Sequence, residues 1–314
     1  MAGQVWAVAE DGGYMGSPLL SKYLRTQSQP LSRFRSLCDV KDASLGGLNK
    51  GDRFHWNIYS NVATEGGPLA ENAPMPETKF TVDKGTVIMS EYGNGVPYTG
   101  KLDNLSVHSV KEVITKVLKN DCASVLDKVA YDQFADTPLV VAPVAGTSTD
   151  EVALSTTGAT LIENDIAMGI DHVSAIVLLM KERNIPGFIN GEYVCVARPG
   201  TFRNIRNELR DVHQYTGEGL SMILRGEIGK FEGVRFVEQT NIASKAWTNG
   251  KSDEAFFLGE DTVAEAVALP EEIRGKLTTD YGRAKGIAWY ALLGYGLTQF
   301  KPEDARIVKW GSAA

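Results

Sequence analysis

From Ser106 to Phe134 the chain runs without a Gly or Pro, and its apolar residues recur as Val110, Val113/Ile114, Val117/Leu118, Val125/Leu126 and Val129. This is helical spacing. Ser109 with Glu112 offers a capping box at the start, and Asp136-Thr137-Pro138 closes the helix because a residue before proline avoids the α region. At 1.5 Å per residue the rod spans roughly 40 Å, longer than a small compact domain is wide. It needs a partner surface along its whole length, either in the core of an ordinary enzyme or among the parts of a building block.

What precedes the rod favours the building block. Residues 1 to 50 hold one short helix candidate, with Ser17 as N-cap, Pro18 at the first helical position, and Leu19, Leu20, Tyr23 and Leu24 behind it. So long a leader cannot form its own core, and is disordered or lies on something else. RFHWNIY, Arg53 to Tyr59, alternates Phe54, Trp56 and Ile58 on one face with polar residues on the other, and Lys79 to Val82 resumes the strand pattern. The Gly- and Pro-rich stretch between these legs is too long for a tight turn, so the hairpin projects. A two-stranded ribbon alone is marginally stable in water. Phe54, Trp56 and Ile58 therefore want a further surface, on their own domain or on another subunit.

After Gly85 a second strand pair, TVIMSEYG and GVPYTG, leads into the rod. Beyond the rod, Thr160 to Glu163 forms another capping box, and a helical stripe from Ile162 through Met180 ends at Asn184, before Pro186-Gly187. Tyr193 to Ala197 reads as a buried strand, Pro199 opens a helix through about Leu209, and Gly233 to Glu238 and Ala255 to Leu258 read as strands. Ile287 to Leu297 and Arg306 to Trp310 are β-like again, which predicts that the last strands return to the sheet beside the rod, with the intervening lobe inserted.

Composition narrows the function. Lys and Arg number 32 against 39 acids, a net charge of −7, which argues against a dedicated nucleic-acid binder. Up to Lys50, however, six basic residues face four acids, so the arm is mildly basic and could lie on an acidic neighbour or face DNA through Lys22, Arg25, Arg33 and Arg35. Cys38, Cys122 and Cys195 are widely spaced, with no C-x-x-C, and read as packing residues in a reducing compartment. The first residues carry Glu10 and Asp11 where a signal would be basic, and Ala175 to Met180 and Ile287 to Leu297 are too short to span a bilayer. No membrane partner is expected.

Little in the chain carries chemistry. His55, His108, His172 and His213 are scattered, so no metal site is expected. YGNGVPYTG and LLGYGLT lack phosphate-cradle order and read as turns or bulges. Glu271/Glu272 and Glu303/Asp304 follow prolines and suit a helix's first turn. With no nucleophile motif either, neither a catalytic residue nor a cofactor is expected, and a cytosolic α/β enzyme is the weaker reading.

GEIGKFEGVRFVEQTN (Gly226 to Asn241), preceded by GEYVCVARPGTFRNIRNE (Gly191 to Glu208) and followed by AFFLGEDTVAEAV, resembles the major capsid proteins of podovirus-type tailed bacteriophages, the group typified by the coliphage N-four coat protein. The likeness extends through MSEYGNGVPYTGKLDNLS, VLKNDCASVLDKVAYDQF, DYGRAKGIAWYALLGYGLT and ARIVKW, covering roughly residues 50 to 310. The resemblance implies an α+β subunit of the Hong Kong ninety-seven-type capsid fold. Its parts would be an N-terminal arm at 1–50, an extended loop at 51–82, and a peripheral domain at 83–139 and 251–314 with its spine helix at 104–136. An axial domain would take 140–250. It also implies a virion shell of pentamers and hexamers around double-stranded DNA, assembled in the bacterial cytoplasm, with a separate scaffolding protein, a portal protein and a decoration protein as partners. Phe54, Trp56 and Ile58 would then make inter-subunit contact, and Gly226, Gly229 and Gly233 would shape the turn before the strand at Val234. An encapsulin-like nanocompartment shell is the nearer alternative, distinguished by its contents.

Overall fold

In the computed structural model, which describes residues 3–6, 32–42, 52–62, 66–69, 71, 74–159, 166–213, 230–242, 253–277 and 280–311, a turn separates the short helix α1 (Gly100–Leu105) from the rod, α2 (Val110–Ala135). Ser109 Oγ accepts from Glu112 N at 3.4 Å, and at the other end Asp136 N donates to Gln133 O. Val110, Ile114, Leu118, Cys122, Leu126, Ala130 and Phe134 are buried, one every four residues. In a helix of 3.6 residues per turn such a stripe rotates by about 40° at each step. The contact face therefore winds around the rod, and Val117, expected within the stripe, is exposed.

The rod packs on a four-stranded sheet of order β1-β11-β12-β4, made of β1 (Asp39–Asp42), β4 (Ser90–Thr99), β11 (Val263–Gly275) and β12 (Ala284–Leu297). Phe34 is wholly buried at the rod's far end, with its ring centroid 5.2 to 5.6 Å from those of Tyr131, Phe134 and Phe256. The described pieces of the amino-terminal arm thus lie on the subunit's own core. Gln4 pairs with the end of β4, and β1 runs parallel to β11.

A second, seven-stranded sheet has the order β6-β5-β13-β10-β7-β9-β8. Its strands are β5 (Leu139–Pro143), β6 (Val152–Ser155), β7 (Tyr193–Ala197), β8 (Lys230–Phe231), β9 (Val234–Glu238), β10 (Ala255–Leu258) and β13 (Ile307–Trp310). α3 (Ile170–Glu182) and α4 (Phe202–His213) contribute to the core of this lobe, where Met168, Ile176, Met180, Phe202, Ile205, Phe257 and Trp310 meet. Among the described residues no helix is long and apolar enough to cross a membrane.

Four expectations are corrected. Only β12 returns to the rod's sheet; β13 lies between β5 and β10 in the lobe, its buried Ile307, Val308 and Trp310 giving no signal of which sheet they enter. The helix expected from Thr160 begins at Ile170: residues 160–165 lie outside the described residues, and the Glu208 carboxylate accepts from Ile170 N at 2.7 Å, marking the helix's first turn. The second leg of the hairpin is β3 (Val82–Ile88), not Lys79 to Val82, because all seven residues of β2 (Arg53–Tyr59) find partners there. Ser90 to Thr99 is then one strand paired with β12, rather than part of a separate hairpin.

The glycine-rich pieces are also strands rather than turns. A Cβ on Gly294 or Gly296 would come within 2.6 Å or less of Val87, so these glycines give β3 a flat place to cross β12. Glu271 and Glu272 sit in β11, not in a helix, where Pro270 falls at a register shift, a place a strand tolerates proline. Glu303 and Asp304 occupy a turn.

Candidate assembly surfaces

The hairpin begins on its own subunit and ends away from it. Phe54 and Trp56 are half-buried against Val87 and Ala266. Trp56 lies directly opposite Gly85, where a Cβ would stand only 2.2 Å from the indole, and its Nε1 donates to Thr298 O at 3.2 Å. An ion pair between Lys301 and Asp83 adds a second tie. Further out, Tyr59, Val62, Leu69, Met75, Phe80 and Val82 are all exposed. The subunit's own sheet thus partly covers Phe54 and Trp56, and Ile58 is half-buried as well, so part of this apolar face is left open.

A second projection is the end of the β11–β12 hairpin, where Ile273, Leu277 and Tyr281 stand in solvent. Asp280, Tyr281 and Gly282 take positive φ at its turn. With residues 3–6 and the start of α1 this tip walls a cleft of about 620 Å³ carrying Lys101, Lys276, Arg283 and Lys285. On the lobe, Gly233 sits at φ +80°, which a β-carbon would strain, while Gly226 and Gly229 lie outside the described residues.

The cations of the arm part ways. Lys22 and Arg25 lie outside the described residues, and Arg33 is exposed. Arg35, expected to face DNA or a neighbour, is instead folded inward: Nε donates to Glu265 Oε1 at 3.0 Å, and the two terminal nitrogens grip Glu271 at 2.7 and 3.1 Å. The cause is Glu265, whose side chain is 2% exposed and needs a counter-charge. Burial pulls the Arg35 pKa down, but its hydrogen bonds to Glu271 and the charge of Glu265 outweigh this and raise it. Arg35 in turn holds Glu271 below the usual carboxylate range. Burial and the Glu265 carboxylate push up the Tyr295 phenol and the Cys38 thiol.

Sequence reading missed the buried Asp127 on the rod. Its oxygens accept from Arg35 N at 3.2 Å, Gln239 Nε2 at 2.7 Å and Asn241 Nδ2 at 2.9 Å, joining arm, rod and lobe. Nothing local marks it, since its partners lie about a hundred residues away. Among the described residues no cluster of His, Cys, Asp or Glu could hold a metal.

A family model described as phage capsid protein matches residues 86–310. The chain belongs to the phage capsid protein family. No curated protein matches it. Among solved structures, the capsid of Ralstonia phage GP4 aligns over 95% of this chain and 96% of its own, at 15% identity and a TM-score of 0.66. The capsid of cyanophage P-SCSP1u covers 95% and 93% at 12% identity and a TM-score of 0.66, and the capsid of a native GTA particle 98% and 99% at 14% and 0.63. At such identities the likeness establishes the fold, which is the Hong Kong ninety-seven type. This capsid protein is a structural subunit of a virion shell, built to meet copies of itself.

Proposed function

We propose that the chain is the major capsid protein of a tailed phage, repeated as pentamers and hexamers in a closed icosahedral shell around double-stranded DNA. The observation that carries this reading is a pair of hairpins on which Tyr59, Val62, Leu69, Met75, Phe80 and Val82, and Leu277 and Tyr281, are exposed, with no cover among the described residues. A neighbour's surface supplies that cover. Because each subunit makes several such contacts, the shell is held by multivalency while single contacts stay weak enough to correct errors.

The order of motifs from MSEYGNGVPYTG to ARIVKW supports a place in the coliphage N-four-like podovirus group. The seven-stranded lobe corresponds to the axial domain, and the rod with its four-stranded sheet to the peripheral domain. β10 and β13 therefore belong to the axial rather than the peripheral part. Lys22, Arg25 and Arg33 remain the arm cations that can face DNA or a neighbour. Assembly proceeds in the host cytoplasm on a separate scaffold, around a portal, with a decoration protein added outside.

The test is the content of particles purified from infected or co-expressing cells and treated with nuclease. Protected double-stranded DNA of uniform length supports a genome shell. Particles holding protein cargo and no DNA would move the chain to the nanocompartment class.

A further inference from the structure

Two asparagine-glycine pairs lie among the described residues, Asn94-Gly95 in β4 and Asn190-Gly191 in a 3-10 turn, and both are exposed. They differ in what the glycine nitrogen faces. Gly191 N donates to Phe188 O at 2.9 Å and is held in a backbone bond. Gly95 N instead donates to Oδ1 of Asn94 itself, at 2.8 Å. β4 is an edge strand of its sheet, with β12 on its other side. The Asn94 side chain is held from its far end as well, its Nδ2 donating to Asp121 Oδ2 on α2 at 3.0 Å.

The amide carbon of Asn94 is one bond behind that Oδ1. A nitrogen and the carbonyl carbon it can attack are thus set side by side, with no β-carbon on Gly95 to shield the approach. We propose that Asn94 is a self-modifying site, at which water and no enzyme converts the side-chain amide to a carboxylate through a cyclic imide. Gly95 N gives up its proton and attacks Asn94 Cγ; the new N–Cγ bond forms, the Cγ–Nδ2 bond breaks, and the side-chain nitrogen leaves as ammonia with the proton. Water then opens the five-membered ring at either carbonyl, giving aspartate, or isoaspartate with the main chain routed through Cγ. Nothing is oxidised or reduced.

Isoaspartate, with the main chain routed through Cγ, loses the donor Nδ2, while aspartate replaces it by a carboxylate oxygen facing Asp121, which also accepts from Trp289 Nε1 at 2.8 Å. Two carboxylates at that distance resist joint ionisation. Isoaspartate also lengthens β4 between the positions paired with Trp289 and Ala288. Conversion therefore loosens the contact between sheet and rod, as a slow charge switch that needs no ligand.

The test is peptide mass mapping of native protein held in mildly alkaline buffer. The mass gain of amide-to-acid conversion, with isoaspartate, should accumulate at Asn94 about tenfold faster than at Asn190, the advantage of a preset geometry. Equal rates, or a faster Asn190, would overturn the proposal. In denaturant the two rates should converge, and a ratio that survives unfolding would assign the effect to flanking sequence and sink the geometric claim. Asn94→Asp, which mimics one product, should speed hydrogen exchange in the rod around Asp121; unchanged exchange would overturn the loosening.

Discussion

Trp289 Nε1 on β12 donates to Asp121 Oδ2 on the rod at 2.8 Å, and Trp289 is only 3% exposed. The bond fastens the four-stranded sheet to the middle of α2, beside the buried Leu118, Cys122 and Leu126. Asp121→Ala leaves a buried indole N–H without an acceptor, which costs about 1–3 kcal/mol. A fall in the denaturant midpoint of the isolated subunit measures it. Asp121→Asn keeps an acceptor and should lose less.

Arg35 divides its partners by burial. Arg35→Ala strands the Glu265 carboxylate in the core and should cost about 3–5 kcal/mol. Glu271→Gln weakens a partly exposed pair and should cost about 1 kcal/mol or less. Because Arg35 depresses the folded pKa of Glu271, that pair stabilises the fold above the ordinary carboxylate range. Its contribution is lost as pH falls through the depressed value. Urea midpoints of wild type and Glu271→Gln, measured against pH, should therefore converge in acid; a constant gap would show that the ion pair is not the source.

The hairpin should separate folding from assembly along its length. Trp56→Ala removes a half-buried ring and its bond to Thr298, and should lower the subunit's midpoint by about 1–3 kcal/mol. Leu69→Ser with Met75→Ser changes only exposed distal residues, so it should leave that midpoint unchanged while shell yield falls. Equal effects of both changes on subunit stability would place the distal half in the intramolecular core.

Two glycines test the lobe by different physics. A Cβ on Gly233 meets nothing within 4 Å, so Gly233→Ala costs only the positive φ, roughly 1 kcal/mol. A Cβ on Gly259 would stand 2.5 Å from Pro186 O, so Gly259→Ala must move backbone and should be the more damaging. Thermal melting of the two variants ranks them.

Local signals in the sequence carried the rod, its capping residues, the strand at Tyr193–Ala197 and the alternating face of RFHWNIY. Each is set by spacing within a few residues. What stayed hidden joins distant residues: Arg35 meets Glu271 across 236 positions, and Gln239 meets Asp127 across 112. The sheet that β13 enters could not be read because a strand buried on both faces has the same pattern in either sheet. The glycines of LLGYGLT looked like turn residues, since a flat crossing point for another strand leaves the same local signature. Which surface covers Trp56 stayed open because its apolar face was visible in sequence, while Gly85 and Thr298, which partly cover it, were not.

The most direct test of the shell account is electron microscopy of the full chain co-expressed with its scaffolding protein, alongside sizing of the chain alone at high concentration. Closed shells of uniform diameter are expected in the first sample, with the distal hairpin protected from protease only there. A chain that stays monomeric in both samples, with that hairpin protected already in the monomer, would contradict it.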